Sequence, residues 1–136
     1  MKISIDNPAG GPAPVGAYSQ VARIDLGTGV LLFLAGQVAL DADGQVAYPG
    51  DLAAQAELIF EGIGQLLAAH GATLANVVNI RTFLTDISYL REYGAIRTRY
   101  FTGTPPTSTT VEVSKLFRDG AVIEVEVVAA LPTAPQ

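Results

Sequence analysis

Two glutamates near the C-terminal end are the residues of this chain best suited to acid–base chemistry. Glu124 and Glu126 alternate with Val125 and Val127, so both carboxylates project from the same face of a predicted strand. Alternate residues of a strand are about 6.6 Å apart, close enough for the two ionisations to be coupled in a dry site. The same pattern is also typical of a solvated strand face. Glu112 on the neighbouring predicted strand would extend this acidic patch.

Arg81 is the second candidate, because it lies in an apolar predicted strand between Ile80 and Phe83. An arginine in such a strand usually has a carboxylate or a ligand as its partner. The arginines further along the chain are instead predicted to occupy the solvated side of a helix. These are Arg91, Arg97 and Arg99.

Other common catalytic and cofactor signatures are missing from the sequence. The chain has no cysteine, and His70 is its single histidine, so histidine-based triads and metal clusters are nearly excluded. His70 is predicted in the last turn of a helix, where a positive side chain favours the dipole. Gly27, Thr28 and Gly29 do not continue into a phosphate-binding loop. No nucleotide or redox cofactor is therefore predicted.

The periodicity of apolar residues predicts an α+β domain that positions these side chains. The order is two strands, a helix, a strand, a helix and two strands. The predicted strands are 18–24, 30–35, 77–85, 108–115 and 122–131, and the predicted helices are 51–70 and 88–101. Asp51 is the predicted N-cap and Gly71 the predicted stop of the first helix. We expect the helices to pack on one face of the sheet and a partner subunit to cover the other.

Composition supports a single domain, residues 1–136, that associates with other copies. Hydrophobic residues make up 49% of the chain and charged residues only 15%, which is low for a small monomer. The net charge is −5 and the basic residues form no dense run, so the composition argues against nucleic acid as a partner. The N-terminal residues lack the apolar core of a signal peptide, and the longest apolar run, 30–36, is too short to span a bilayer. A soluble, cytoplasmic protein is the expectation.

Several stretches, taken in order, resemble one family. They are PVGAYSQV at 14–21, LAGQVALD at 34–41, AHGATLANVVNIRTFLTDI at 69–87, RYF at 99–101, and PPTSTTVEVSKL through GAVIEVEVVA at 105–129. This set resembles the RidA/YjgF superfamily of reactive-intermediate deaminases, also labelled L-PSP endoribonucleases. The resemblance implies a chorismate-mutase-like fold and a homotrimer with ligand clefts between subunits. It also implies hydrolysis of small enamines and imines such as 2-aminoacrylate, without metal or cofactor.

This sequence departs from the deaminase pattern at the residue that binds the substrate carboxylate. The arginine of the family falls on Ser108, and the proline two positions earlier matches Pro106. A serine cannot hold a carboxylate through two parallel bonds. Ala35 and Gly94 stand where deaminases usually have serine and asparagine. The implied pocket thus keeps its architecture and loses its anion clamp.

Two hypotheses about function follow. In the first, the chain is a divergent enzyme acting on a small enamine, imine or related unsaturated metabolite, with Glu124 activating water and Tyr18 bonding the substrate. Further contacts would come from Gly36, Gln37, Ser108 and Thr109, and Arg81 would rescue anion binding if it reaches the cleft. Because Ser108 is neutral, this hypothesis predicts no accelerated decay of 2-iminopropanoate. The alternative is a non-catalytic trimer that binds a small metabolite or acts like a chaperone.

Overall fold

The computed structural model describes residues 1–133. This part of the chain contains six strands and two α-helices. The strands are β1 Lys2–Asp6, β2 Val21–Asp25, β3 Gly29–Leu34, β4 Val77–Leu84, β5 Thr107–Glu112 and β6 Ile123–Pro132. The helices are α1 Leu52–Ala68 and α2 Leu90–Tyr100. The strands form one sheet in the order β1-β2-β3-β6-β4-β5. Only β4 and β5 pair in parallel, so the sheet is mixed and the predicted α+β class is confirmed.

The start and end of the first helix follow the predicted local signals. Asp51 accepts a bond from the Ala54 N–H at 3.1 Å, which satisfies one free donor of the first turn. Gly71 has φ of +78°, a backbone conformation that glycine adopts without strain. The helix itself is slightly shorter than predicted.

The N-terminal strands differ from the prediction. Strand β1 was not predicted from the sequence, and its side chains are all exposed; backbone pairing with β2 rather than burial holds it. The predicted strand 18–24 was wrong at its start, because β2 begins at Val21. Tyr18 lies in a tight turn instead, with its N–H bonded to the Gly16 carbonyl at 2.9 Å.

Both helices cover one face of the sheet, as predicted. The residues of β6 that alternate toward the helices are buried: Ile123, Val125, Val127 and Ala129. Around Phe60 of α1, the rings of Tyr100 and Phe101 lie 5.0 and 5.6 Å away between centroids. Burial of these apolar side chains is the main favourable term in folding. No helix within residues 1–133 is both long and apolar enough to cross a bilayer.

The opposite face, which we call the open face, carries apolar and charged residues together. Phe33 on β3 and Val111 on β5 are 42% and 40% exposed. Glu124 and Glu126 lie between them on β6, in register with Phe83 and Arg81 of β4. The two glutamates therefore share one face, as the alternation predicted. Coverage of this face by a partner subunit stays a prediction.

Candidate active site

The carboxylate of Glu124 lies directly against the backbone of Gly36. The segment that follows β3 pairs with β6 through two reciprocal bonds, in which Gln37 N–H donates to the Val125 carbonyl at 2.8 Å and Val125 N–H donates back at 3.0 Å. A Cβ added to Gly36 would lie only 3.0 Å from Cδ of Glu124 and would overlap its carboxylate oxygen. Any larger residue at position 36 would therefore displace the Glu124 side chain from its present position. Within residues 1–133, the Gly36 N–H has no hydrogen-bond acceptor.

The environment of Glu124 favours its protonated form. Partial burial raises the pKa of its carboxyl group above the ordinary value, and the charge of nearby Glu126 raises it further. Both effects penalise the ionised form. A raised pKa is the direction of shift that suits a carboxyl group to general acid–base chemistry. Glu124 is therefore the candidate acid–base group of this site.

A cavity of 560 Å³ opens beside Gly36, between the N-terminal loop and α1. Tyr18, Gly36, Gln37 and Phe117 are among the residues that line it. The Tyr18 hydroxyl accepts a bond from the Val15 N–H at 3.3 Å, so its own O–H is still available as a donor. Gly36 thus lies between this cavity, which it lines together with Tyr18, and the carboxylate of Glu124, which is not among the lining residues.

Gln37 lines this cavity, but its side-chain amide is bonded to other residues of the chain. Its side-chain amide donates to Oε1 of Gln20 at 2.7 Å and to the Ala35 carbonyl at 2.9 Å. These bonds use both N–H groups of the amide. Only its oxygen is left for a ligand, so Gln37 chiefly fixes the cavity wall.

Arg81 and Thr109 lie side by side on the open face. Arg81 Nη1 is 3.6 Å from Oε1 of Glu126, and Arg81 and Thr109 are register partners across β4 and β5. The arginine thus has the carboxylate partner that the sequence predicted. Its side chain is 61% exposed, so the ion pair contributes little to stability.

Ser108 projects from the other side of the sheet. It is the register partner of Ile80, which is fully buried under the helices. The Ser108 Oγ accepts a bond from Nη1 of Arg97 at 2.8 Å. Glu124 and Ser108 are separated by β4, about 10 Å across the sheet at the usual strand spacing. They are also offset along the strands, because Glu124 is level with Val111 rather than Ser108, and they face opposite sides. They cannot contact one ligand within a single chain.

Arg97 differs from its predicted position. The sequence pattern assigned it to the solvated side of α2, but it is half-buried, and its Cζ lies 5.4 Å from the centroid of the Tyr93 ring. The spacing of Tyr93 and Arg97 was the available signal, because residues four apart on a helix are neighbours. Such stacking is a known preference of the planar guanidinium group.

The prediction that Glu112 extends the acidic patch was wrong. Glu112 is the register partner of Leu84, so it projects toward the helix side, where its Oε1 accepts a bond from the Ile87 N–H at 2.9 Å.

The single histidine is engaged in a contact with β1: Nε2 of His70 lies 3.1 Å from Oδ1 of Asp6. Residues 1–133 contain no group of three or more His, Asp or Glu side chains that could hold a metal ion.

Comparison with known proteins identifies chains of similar sequence and agrees with the fold. The family model described as Endoribonuclease L-PSP matches residues 9–131. Protein DfrA of Myxococcus xanthus is 39% identical over 118 residues, covering 87% of this chain and 88% of that protein. The 2-iminobutanoate/2-iminopropanoate deaminase of Rattus norvegicus is 31% identical over 118 residues, covering 87% and 82%.

Solved structures show the same architecture. A putative endoribonuclease of Thermotoga maritima superposes with a TM-score of 0.85 at 27% identity, covering 98% of this chain and all of that one. E. coli TdcF with bound serine superposes with a TM-score of 0.78 at 25% identity, covering 93% and 97%.

Proposed function

Because this chain belongs to the endoribonuclease L-PSP family, within the RidA/YjgF superfamily, we propose that it hydrolyses a small enamine or imine to a carbonyl compound and ammonia. The observation that carries the proposal is the Glu124 carboxyl group, which has a raised pKa and lies against the backbone of Gly36. The deaminase name of the rat relative supports the same reaction class.

The reaction needs a proton acceptor, a proton donor and hydrogen bonds to the substrate. Water adds to the carbon of the protonated imine, C=NH2⁺, while Glu124 accepts a proton from that water, which gives a neutral carbinolamine. Glu124 then returns this proton to nitrogen, so it acts first as base and then as acid. The C–N bond breaks as the carbonyl forms, and the proton of the carbinolamine hydroxyl passes to the departing ammonia, which leaves as ammonium. The Gly36 N–H and the Tyr18 hydroxyl are the donors available to the substrate. An enamine substrate first takes a proton from solvent on carbon, which gives the same protonated imine.

We place the complete site between two copies of the chain in a homotrimer. Glu124 and Ser108 face opposite sides of the sheet, so one ligand can reach both residues only if they come from different subunits. One copy would supply Tyr18, Gly36 and Glu124, and its neighbour would supply the β5 edge with Ser108. Thr109 and Arg81 stay candidates for contacts from the open face. The apolar residues exposed there support coverage by another copy.

Rate measurements with paired glutamate variants test the proposal. Freshly generated 2-iminopropanoate and the neutral imine derived from alaninamide would be mixed with the wild-type chain, with Glu124→Gln and with Glu112→Gln. We expect the wild type to accelerate imine decay and Glu124→Gln to lose about 10²- to 10⁴-fold in rate, the range for a lost general acid–base group. Glu112→Gln is the matched control, because its side chain faces away and glutamine still accepts the Ile87 bond.

Either of two results would overturn this proposal: Glu124→Gln as fast as the wild type, or no turnover of any imine by the wild type. The second result, together with thermal stabilisation by small metabolites, would instead favour the non-catalytic binding protein. The neutral state of Ser108 and the engaged amide of Gln37 are the features that favour that alternative.

A further inference from the structure

Arg97 is held in a fixed orientation at the edge of the sheet. Its Nη1 donates to the Ser108 Oγ at 2.8 Å, and its guanidinium group stacks over Tyr93 at 5.4 Å. Tyr93 is itself fully buried and shares a hydrogen bond with Thr82. A side chain fixed at two points loses less rotamer entropy when a ligand binds. The guanidinium group of Arg97 is thus preorganised.

Arg97 has no carboxylate partner within residues 1–133. The ion pairs of its neighbours are formed, with Arg99 bound to Glu57 and Arg81 next to Glu126. Ser108 uses one of the five N–H donors of Arg97, and serine is a neutral acceptor. A half-buried guanidinium group with no counter-ion in this part of the chain is well suited to bind an anion from outside it.

A cavity lies next to this guanidinium group. It has a volume of 480 Å³ and is lined by Arg97 and Thr98 of α2 and by the loop that leads to β5, including Phe101, Pro105 and Pro106. That volume is in the range of small-molecule sites. The apolar side chains among the lining residues, Phe101, Pro105 and Pro106, give a ligand apolar contacts beside the guanidinium group.

We infer that Arg97 is the carboxylate-binding residue of the site and that Ser108 acts as its positioning residue. In this site Arg97 of α2 supplies the positive charge that the deaminase pattern places at position 108 of β5. The Ser108 hydroxyl holds the guanidinium group of Arg97 in position. Ligands that carry a carboxylate are therefore preferred over neutral analogues, and 2-imino acids stay within the substrate class despite Ser108. This inference rests on the proposed function, which gives the location of the ligand. It adds that the ligand carries a negative charge.

Equilibrium binding of pyruvate, compared with the neutral pyruvamide, tests the inference without requiring turnover. Calorimetry on the purified full-length chain would compare Arg97→Met with Arg99→Met, a control two residues away whose partner is Glu57. We expect Arg97→Met to weaken pyruvate binding by roughly 10- to 100-fold, the size expected for loss of a charge-assisted pair. Pyruvamide binding stays unchanged, and so does pyruvate binding by Arg99→Met. Arg97→Lys should recover only part of the affinity, because an ammonium group lacks the planar fork.

Steady-state kinetics of Ser108 variants test the positioning role of this residue separately. Ser108→Ala should raise KM for 2-iminopropanoate and leave kcat unchanged, and Ser108→Thr should restore KM because its hydroxyl still accepts the Arg97 bond. If Arg97→Met does not fold, as judged by its circular dichroism, Arg97→Lys and Ser108→Ala decide the question on the same pyruvate titration.

Equal affinity of the wild type for pyruvate and pyruvamide would overturn the inference, and so would equal effects of the Arg97 and Arg99 variants. Failure of the proposed function is a separate result, recognised by an imine-decay rate that Glu124→Gln does not change. Arg97-dependent pyruvate binding in that case would still support the inference.

Discussion

Glu124 and Glu126 have the same residue type and face the same side of β6, but their surroundings differ. Glu126 has Arg81 as a partner at 3.6 Å. Glu124 is packed against Gly36 and has a raised pKa, caused first by burial and second by the charge of Glu126. The difference is the reason why Glu124, rather than Glu126, is the proposed acid–base group.

Substitution Glu126→Gln tests this coupling through the pH dependence of the reaction. Glu124 must be ionised to accept a proton from water, so kcat/KM rises with pH through its pKa in the free enzyme. Removing the Glu126 charge lowers that pKa, and the acidic limb of the profile moves to lower pH. Burial is the larger cause and is unchanged, so part of the upward shift stays. An acidic limb that does not move, or that also moves in Glu112→Gln, would contradict the coupling.

Helix α1 positions the wall of the cavity partly through a close contact between Gly62 and the N-terminal loop. Gly62 is buried, and a Cβ added there would lie 2.9 Å from Cγ of Pro12, which lines the cavity. A Cβ added to Gly64, two residues on, would meet no atom within 4 Å. The two glycines interrupt the helix equally in sequence, but only Gly62 is needed for packing.

Alanine substitutions at these positions should therefore have opposite effects on stability. Gly64→Ala is expected to raise the free energy of unfolding by about 0.5–1 kcal/mol, because alanine is the better helix former. Gly62→Ala is expected to lower it by roughly 1–3 kcal/mol, because the added methyl group overpacks against Pro12. Urea denaturation of both variants measures the difference. Stabilisation by Gly62→Ala would show that the loop moves away at no cost.

The whole molecule presents a sheet with one face under the helices and an open face that carries Phe33 and Val111 beside charged residues. The candidate site is divided between the two sides of this sheet, with Glu124 on one side and Ser108 on the other. Assembly with other copies is therefore part of the proposed function as well as a way to bury apolar surface.

Substitution Phe33→Asp on the open face should dissociate the proposed homotrimer. Burying an unpaired carboxylate in an interface is costly, so light scattering should report a monomer, and imine turnover should fall with it. Leu90→Asp is the control, because Leu90 is 45% exposed at the start of α2, a helix that covers the opposite face of the sheet. A folded Phe33→Asp variant that stays trimeric, or a wild-type chain that is monomeric, would refute this assembly.

The sequence by itself determined the class of fold and most of its elements, because these depend on short-range periodicity and caps. Alternation in 122–131 identified β6 and the shared face of its two glutamates, and Asp51 and Gly71 marked the ends of α1. The exposed β1 could not be predicted in this way, because it has no buried face and its place depends on pairing with β2.

Only the tertiary structure decided which of the candidate side chains meet. Gly36 contacts Glu124 because the segment after β3 pairs with β6, and Arg97 reaches Ser108 because α2 packs beside the parallel strand β5. The same register turns Glu112 away from the other two glutamates. A shift of one residue in strand pairing reverses the face of every side chain, and pairing between distant strands is set by the packing of the whole sheet and its helices rather than by local sequence.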